Sequence, residues 1–213
     1  MYKKYEINCF KLITFFIIIM LVTIKLSNAE NIINTSAKYA ILIDHDTGRI
    51  LLNKNSDTSM SPASMSKLMT IYLIFEAIKQ DRINLDTELV VSEKAWRKRD
   101  KNGKELSSNG SSMFLEPLTK VTVENLLRGI IVQSGNDACI VIAEALNGSE
   151  ESFSDSMNEK AKELGLQNSY FTNSTGWPDK KHLMSSLDLA LLSKKLYQDF
   201  PDYMHYFAEK KFS

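Results

Sequence analysis

The most informative stretch of the sequence is residues 62–78, which read PASMSKLMTIYLIFEAI. From Leu68 onward this stretch is apolar on nearly every side, a pattern that predicts a helix buried in the middle of a domain. Ser64 and Lys67 stand three residues apart where the helix begins. Because the helical repeat places such residues on one face, we expect the ammonium group and the hydroxyl to come within hydrogen-bond reach. The stretch therefore predicts a Ser-Lys catalytic pair.

A lysine accepts a serine proton only as a neutral amine, so Lys67 needs a pKa below its reference value of about 10.4. Burial by the apolar helix and the positive end of the helix dipole both lower the pKa of a lysine. On this hypothesis Ser64 is the nucleophile and Lys67 is the base. The same spacing also occurs at ordinary capped, solvated helix starts, and the pair alone leaves that alternative open.

Residues 1–29 have the pattern of a signal peptide. Basic residues flank the start of an apolar run at residues 12–24, and Ser27 and Ala29 place small side chains at the two positions that signal peptidase reads. We expect cleavage after Ala29 and export of the chain, with an uncleaved membrane anchor as the alternative. Cys139 then remains as the one cysteine of the mature protein, and its apolar neighbours predict that it is a small buried residue.

The composition indicates a globular protein of one large or two small domains. The 213 residues include 26 basic and 26 acidic side chains, and 44% of them are hydrophobic. This balance supplies no basic surface for nucleic acid, so no nucleic-acid partner is expected. The histidines His45, His182 and His205 lie in polar sequence settings without the spacing of metal ligands, and we expect neither a metal site nor a cofactor.

The segments around the central helix predict a mixed architecture. Residues 39–52 contain two apolar, β-rich runs on either side of a turn, which predicts a β-hairpin. Residues 81–120 are mostly polar, and we interpret them as loops and a short helix on the surface. Near the end of the chain, Ser185 and Asp188 have the spacing of a capping box for a last helix.

A polar corner interrupts the apolar helical pattern of residues 121–146. Gly135 and Asn136 favour a turn, and Asp137 is predicted to cap the second of two helices. Ser134 and Asn136 thus present neutral hydrogen-bonding groups on a tight turn between apolar helices. Such groups need partners, which a cleft supplies. A plain corner between two helices is the alternative.

Three motifs together resemble one family. They are PASMSK at residues 62–67, SGN at residues 134–136 and SSLDLA at residues 185–190. In this order and spacing they resemble the serine-type D-alanyl-D-alanine carboxypeptidases, which are the low-molecular-mass penicillin-binding proteins. The similarity runs from about residue 39 to the last residue.

The resemblance implies a role for each motif. Ser64 is expected to attack the peptide bond between the two terminal D-alanines of a cell-wall stem peptide, and Lys67 to activate it. Ser134 is expected to pass the proton to the leaving amine. Asn136 is expected to orient Lys67 and to bind the substrate amide. The acyl-enzyme on Ser64 would then be hydrolysed, and β-lactam antibiotics would acylate the same serine.

The resemblance also implies a fold, a partner and a location. The expected fold is α/β and β-lactamase/transpeptidase-like, with a sheet packed against a helical subdomain. Residues 38–213 would be the N-terminal and helical part of this catalytic domain. The expected partner is a peptidoglycan stem peptide ending in D-Ala-D-Ala. The substrate lies outside the inner membrane, which fits an exported, periplasmic protein at the inner-membrane surface.

The sequence departs from the family pattern in one respect. The family has a third motif, Lys-Thr-Gly, on a later strand of its sheet. No consecutive Lys-Thr-Gly occurs in the 213 residues. We therefore expect a chain truncated before that motif, with the C-terminal strands and a membrane association through a C-terminal part missing. A catalytically inactive fragment is one alternative. A class A β-lactamase is another, but Ala143 stands where its deacylating glutamate would be.

Overall fold

The computed structural model describes residues 34–97 and 110–211, so the predicted signal peptide at residues 1–29 lies outside the described residues. The described residues from Thr35 onward form one compact unit. The elements follow in chain order: β1 (Ala40–Ile43), β2 (Ile50–Lys54), a 3₁₀ turn (Ala63–Ser66), α1 (Lys67–Lys79), β3 (Glu88–Val90), α2 (Glu93–Arg97), β4 (Lys120–Thr122), α3 (Val123–Gln133), α4 (Asn136–Asn147), α5 (Glu150–Glu163), α6 (Ser186–Asp199) and a second 3₁₀ segment (Pro201–Ala208).

The predicted β-hairpin is confirmed. Strands β1 and β2 pair antiparallel, with Leu42 opposite Leu52 and an irregularity in the register after Leu42. The Asp44 carboxylate holds the turn by accepting a hydrogen bond from the Thr47 backbone N–H at 2.8 Å. Gly48 follows with φ +72°, a left-handed conformation that glycine adopts without steric cost. Helix α6 packs against β1, so the sheet lies against the helical part as the fold class predicts.

The central helix α1 is buried, as its apolar sequence predicts. It packs against α3, α4, α5 and α6, and its side chains at Met69, Ile74, Phe75 and Ala77 are fully inaccessible to solvent. The Phe75 ring is 4.7 Å from the Tyr203 ring and stacks on it. The α-helix begins at Lys67, so Ser64 lies in the preceding 3₁₀ turn and not in the first α-helical turn.

The interpretation of residues 81–120 was incomplete. The short surface helix is confirmed as α2, but β3 and β4 form a second two-stranded antiparallel sheet, with Leu89 opposite Val121. Each strand has three residues, too few to show the alternation that marks a strand in a sequence. Helix α3 starts directly after β4, so this small sheet fixes where α3 begins.

The corner between α3 and α4 has a different cap from the predicted one. Ser134 ends α3 in a left-handed conformation, with φ +57°, and Gly135 is the N-cap of α4. The prediction that Asp137 caps α4 is wrong, because Asp137 lies inside the first turn of that helix. Its buried carboxylate binds another segment, accepting hydrogen bonds from the Ser112 hydroxyl at 2.6 Å and the Met113 N–H at 2.9 Å.

The last helix has half of the predicted capping box. The Ser185 hydroxyl oxygen accepts a hydrogen bond from the Asp188 N–H at 3.0 Å, so Ser185 is the N-cap of α6. The second hydrogen bond of a capping box, from the Ser185 N–H to the Asp188 carboxylate, is not formed. The carboxylate accepts hydrogen bonds from the Asn168 N–H and the Ser169 hydroxyl, both at 2.7 Å, because a buried carboxylate gains more from these two donors of the 164–169 connection.

Among residues 34–97 and 110–211, no helix combines the length and the apolar character needed to cross a bilayer.

Candidate active site

The site is built around the contact between Ser64 and Lys67. Lys67 Nζ lies 3.1 Å from Ser64 Oγ, which confirms the predicted hydrogen-bond reach. The two residues differ in exposure. Ser64 is exposed on the 3₁₀ turn, whereas Lys67 is only 3% exposed at the start of α1. The hydroxyl is thus accessible from solvent, and the amine reaches it from inside the protein.

The backbone beside Ser64 is strained. Ala63 has φ +49°, a left-handed conformation that costs a residue with a Cβ on the order of 1–2 kcal/mol. The surrounding structure holds this conformation from one side through Gly176, where an added Cβ would lie 2.0 Å from the Ala63 carbonyl oxygen. Strain of this kind concentrates at functional sites, where neighbouring contacts fix an uncommon geometry.

The environment of Lys67 favours the neutral amine. Burial lowers the pKa of Lys67 below its usual value. Within residues 34–97 and 110–211 no carboxylate forms an ion pair with it. The nearby thiol of Cys139 is fully buried, as predicted, and burial raises the pKa of that thiol to about 12, so it carries no charge at neutral pH.

The second partner of Lys67 comes from a loop that sequence analysis did not connect to the site. The Thr175 carbonyl oxygen accepts a hydrogen bond from Lys67 Nζ at 2.7 Å. The sequence predicts residues 173–178 only as a loop. The one available signal was Gly176, since a glycine among residues with hydrogen-bonding side chains indicates a tight turn with a left-handed residue.

Ser134 and Asn136 lie at the junction of α3 and α4, and α4 packs against α1. Cys139 is three residues after Asn136, hence on the same face of α4, and its thiol lies close enough to Lys67 for the two groups to influence each other's pKa. This face of α4 is therefore directed toward the Ser-Lys pair. Within the described residues Lys67 makes no hydrogen bond to Ser134 or Asn136, so the roles predicted for these two residues stay predictions.

Asn136 lies under a segment that the Asp137 carboxylate holds in place. The Asn136 N–H donates to the Ser111 carbonyl oxygen at 2.9 Å. A Cβ added at Gly110 would lie 2.7 Å from Asn136 Nδ2 and 3.1 Å from the Trp177 ring. Gly110 thus permits the close approach of this segment to the Asn136 amide, and it brings the 110–115 segment and the 173–177 loop to the same place.

The histidine at position 182 is not in the polar setting that its sequence neighbours indicated. Its side chain is 1% exposed and lies edge-on to the Phe171 ring. The Thr172 N–H donates to Nδ1 at 3.2 Å, and burial lowers the pKa of His182 to about 4. Within the described residues no three His, Cys, Asp or Glu side chains group together as metal ligands.

An exposed serine whose hydroxyl contacts a buried lysine is the arrangement that serine-lysine acyl-transfer hydrolases use. A family model described as D-alanyl-D-alanine carboxypeptidase matches residues 25–213. The chain belongs to the D-alanyl-D-alanine carboxypeptidase family.

Relatives and solved structures agree with this assignment. The D-alanyl-D-alanine carboxypeptidase DacF of Bacillus subtilis is 42% identical over 185 residues, which are 83% of this chain and 45% of the relative. DacC of Escherichia coli is 38% identical over 84% of this chain and 44% of the relative. The crystal structure of penicillin binding protein 5 from Haemophilus influenzae matches with a TM-score of 0.79 and 34% identity, over 85% of this chain and 51% of that chain. The chain thus spans less than half the length of these two curated relatives.

Proposed function

We propose that this chain carries the acylation site of a serine-type D-Ala-D-Ala carboxypeptidase, with Ser64 as nucleophile and Lys67 as base. The observation that carries the proposal is the 3.1 Å contact between Ser64 Oγ and the Nζ of a lysine that is 3% exposed. Burial lowers the pKa of Lys67, and no carboxylate among the described residues pairs with it. Both conditions favour the neutral amine, the form that can accept a serine proton. Family membership supports the carboxypeptidase over the β-lactamase alternative.

The reaction would proceed in two stages. In the first, neutral Lys67 takes the Ser64 proton while Ser64 Oγ bonds to the carbonyl carbon between the two D-alanines. The bond to the leaving amine then breaks, and the amine receives the proton through Ser134, releasing D-alanine. In the second stage, water attacks the ester on Ser64, and its proton returns to the enzyme while the shortened peptide leaves.

Asn136 is proposed as the residue that binds the substrate amide. Its backbone N–H is already bonded to Ser111 O, so the side-chain amide is the part left for a ligand at this position. The proposed substrate is a peptidoglycan stem peptide ending in D-Ala-D-Ala. β-Lactams are proposed as acylating inhibitors, in line with the penicillin-binding proteins among the solved structures that match. No metal or cofactor enters this chemistry.

A location and a domain organisation follow from the same proposal. Residues 1–29 are proposed as a signal peptide and residues 38–213 as part of the catalytic domain. Export to the periplasmic face of the inner membrane brings the site to its substrate. Attachment to that membrane through a further C-terminal part belongs to the same proposal.

The test is release of D-alanine from a synthetic stem peptide that ends in D-Ala-D-Ala. We expect release by the purified chain, none from a peptide ending in L-Ala-L-Ala, and none by the Ser64→Ala variant. Release that persists in Ser64→Ala would contradict the proposal. A folded chain that releases no D-alanine would support the alternative of an inactive fragment.

A further inference from the structure

The loop at residues 173–177 supplies one of the two hydrogen-bond partners that Lys67 has among the described residues. A neutral amine has two hydrogens and one lone pair. If one N–H donates to the Thr175 carbonyl oxygen, 2.7 Å away, rotation about the last side-chain bond of Lys67 is restricted. The lone pair can then be directed at the Ser64 hydroxyl, 3.1 Å away. The direction of the Thr175 carbonyl therefore determines whether the amine is oriented to accept the proton.

The side chain of Asn173 organises this loop from within. Its Oδ1 accepts hydrogen bonds from the backbone N–H groups of Thr175 at 3.2 Å, Gly176 at 2.8 Å and Trp177 at 3.0 Å. The Thr175 hydroxyl donates to the same oxygen at 3.0 Å. Nδ2 donates to the Trp177 carbonyl oxygen at 2.9 Å and to the Thr172 hydroxyl at 3.3 Å. One side chain thus satisfies three consecutive backbone N–H groups on either side of the Thr175 carbonyl.

Other contacts attach the loop to its surroundings without setting its internal turn. The Ser174 hydroxyl donates to the Glu150 carboxylate at 2.7 Å, and the Ser174 carbonyl oxygen accepts from the Thr70 hydroxyl at 2.7 Å. Gly176 lies against the Ala63 carbonyl. These contacts bring the loop to α1, whereas the bonds to Asn173 decide where the peptide between Thr175 and Gly176 points.

We propose that Asn173 is a positioning residue for acyl transfer: by holding the 173–177 turn, it aims the Thr175 carbonyl at Lys67, so that the lone pair of the neutral amine faces the Ser64 hydroxyl. This inference rests on the proposed function of Ser64 and Lys67. Asn173 acts through Thr175 and has no role in contact with the substrate.

The loop also covers Lys67, which gives the inference a pH signature. The titratable group that faces Lys67 from α4 is Cys139, which is neutral. Glu150, on α5, contacts the loop through the Ser174 hydroxyl and is therefore further from Lys67 than the loop itself. Burial is thus the main influence on the Lys67 amine. A loosened loop admits water, so the pKa of Lys67 rises and base catalysis requires a higher pH.

The test compares Asn173→Ala with a matched control, Asn158→Ala. Asn158 is also an asparagine with a bidentate contact, since its Nδ2 and Oδ1 pair with the Phe171 C=O and N–H, both at 2.8 Å, at the base of the same loop. The readout is the rate of Ser64 acylation by a fluorescent penicillin as a function of pH, at saturating penicillin. For Asn173→Ala we expect a rate about a hundredfold lower and a rising limb shifted to higher pH. Asn158→Ala should keep the wild-type rate and profile.

Asn173→Asp supplies a second variant in case the alanine variant does not fold. The carboxylate keeps the acceptor for the three backbone N–H groups and adds a negative charge near Lys67. We expect a maximal rate within a few-fold of wild type, reached only at higher pH because the added charge raises the pKa of Lys67. The inference is overturned if Asn173→Ala acylates like wild type, or if both alanine variants lose rate equally with unchanged pH profiles.

A measurement without acylation separates this inference from the proposed function. If wild type is not acylated, the proposed function fails, but the pKa of Lys67 is still accessible by NMR of isotope-labelled lysine. We expect this pKa to rise in Asn173→Ala and to stay at the wild-type value in Asn158→Ala. An identical Lys67 pKa in all three proteins would overturn the inference.

Discussion

Substituting Gly176 by alanine tests whether the loop and the Ser64 turn depend on each other. Gly176 has φ +79°, and an added Cβ would lie 2.0 Å from the Ala63 carbonyl oxygen and 2.5 Å from Ser66 Oγ. Gly148 provides a matched control, because its φ is +78° and nothing lies within 4 Å of its added Cβ. Both substitutions impose the same backbone penalty, but only Gly176→Ala forces atoms apart.

The magnitudes separate the two variants clearly. A left-handed alanine costs about 1–2 kcal/mol, of which the lower entropy of the unfolded chain offsets roughly 0.4–1 kcal/mol. Gly148→Ala should therefore cost about 1 kcal/mol. In Gly176→Ala the loop must also move by about 1 Å to bring the Cβ to an ordinary contact distance, which breaks the bond from Lys67 to the Thr175 carbonyl. Losing a hydrogen bond to a charged or buried group adds about 1.5–3 kcal/mol, for a total of roughly 2.5–4 kcal/mol.

Urea unfolding followed by circular dichroism measures both free energies of unfolding. The expected result is a difference of about 1.5 kcal/mol or more in the free energy of unfolding between Gly176→Ala and Gly148→Ala. The dependence of that free energy on urea concentration should be the same in both variants. Equal destabilisation of the two variants would refute the reasoning, because it would mean that the 173–177 loop is free to move away from Ala63 and that its contact with Lys67 contributes nothing to stability.

Two further predictions concern buried ionisable groups. Burial lowers the pKa of His182 from 6.5 to about 4. Between these two pH values the unfolded chain binds more protons than the folded chain, so the free energy of unfolding falls as the pH drops from 6.5 to 4. The expected loss of stability is roughly 3 kcal/mol. Urea titrations at several pH values should show this slope in wild type and not in His182→Gln, and parallel curves would contradict it. Asp137→Ala leaves the Ser112 hydroxyl and the N–H groups of Met113 and Leu115 without their acceptor, which should cost about 3 kcal/mol or more and speed amide hydrogen exchange at 113 and 115; a cost below about 1 kcal/mol would count against it.

The features that sequence predicted well are those set by local spacing. The buried helix α1, the hairpin of β1 and β2, and the contact between Ser64 and Lys67 depend on residues that are near each other in the sequence. Periodicity and turn residues encode such contacts directly. The three motifs, at residues 62–67, 134–136 and 185–190, then led to the family, since their order along the chain is far more specific than any one of them.

The features that sequence missed depend on which distant partner a side chain selects. The Thr175 carbonyl that binds Lys67 is 108 residues away from it, and a backbone carbonyl has no signature in a sequence. The sequence predicts a helix-capping role for both Asp137 and Asp188, because that is the common use of an aspartate at such positions. Each of these carboxylates instead accepts hydrogen bonds from a distant segment, because a buried carboxylate is most stable where several N–H and O–H donors converge on it.

The central claim is that Ser64 is a nucleophile activated by Lys67, and the most direct measurement is covalent labelling of the purified chain by a fluorescent penicillin, with the adduct located by mass spectrometry of peptides. We expect one adduct, on Ser64, and no adduct in Ser64→Ala. The rate of adduct formation should increase with pH as Lys67 loses its proton, at a pH below the usual pKa of a lysine. A folded chain that takes up no label, or a label that persists in Ser64→Ala, would contradict the account.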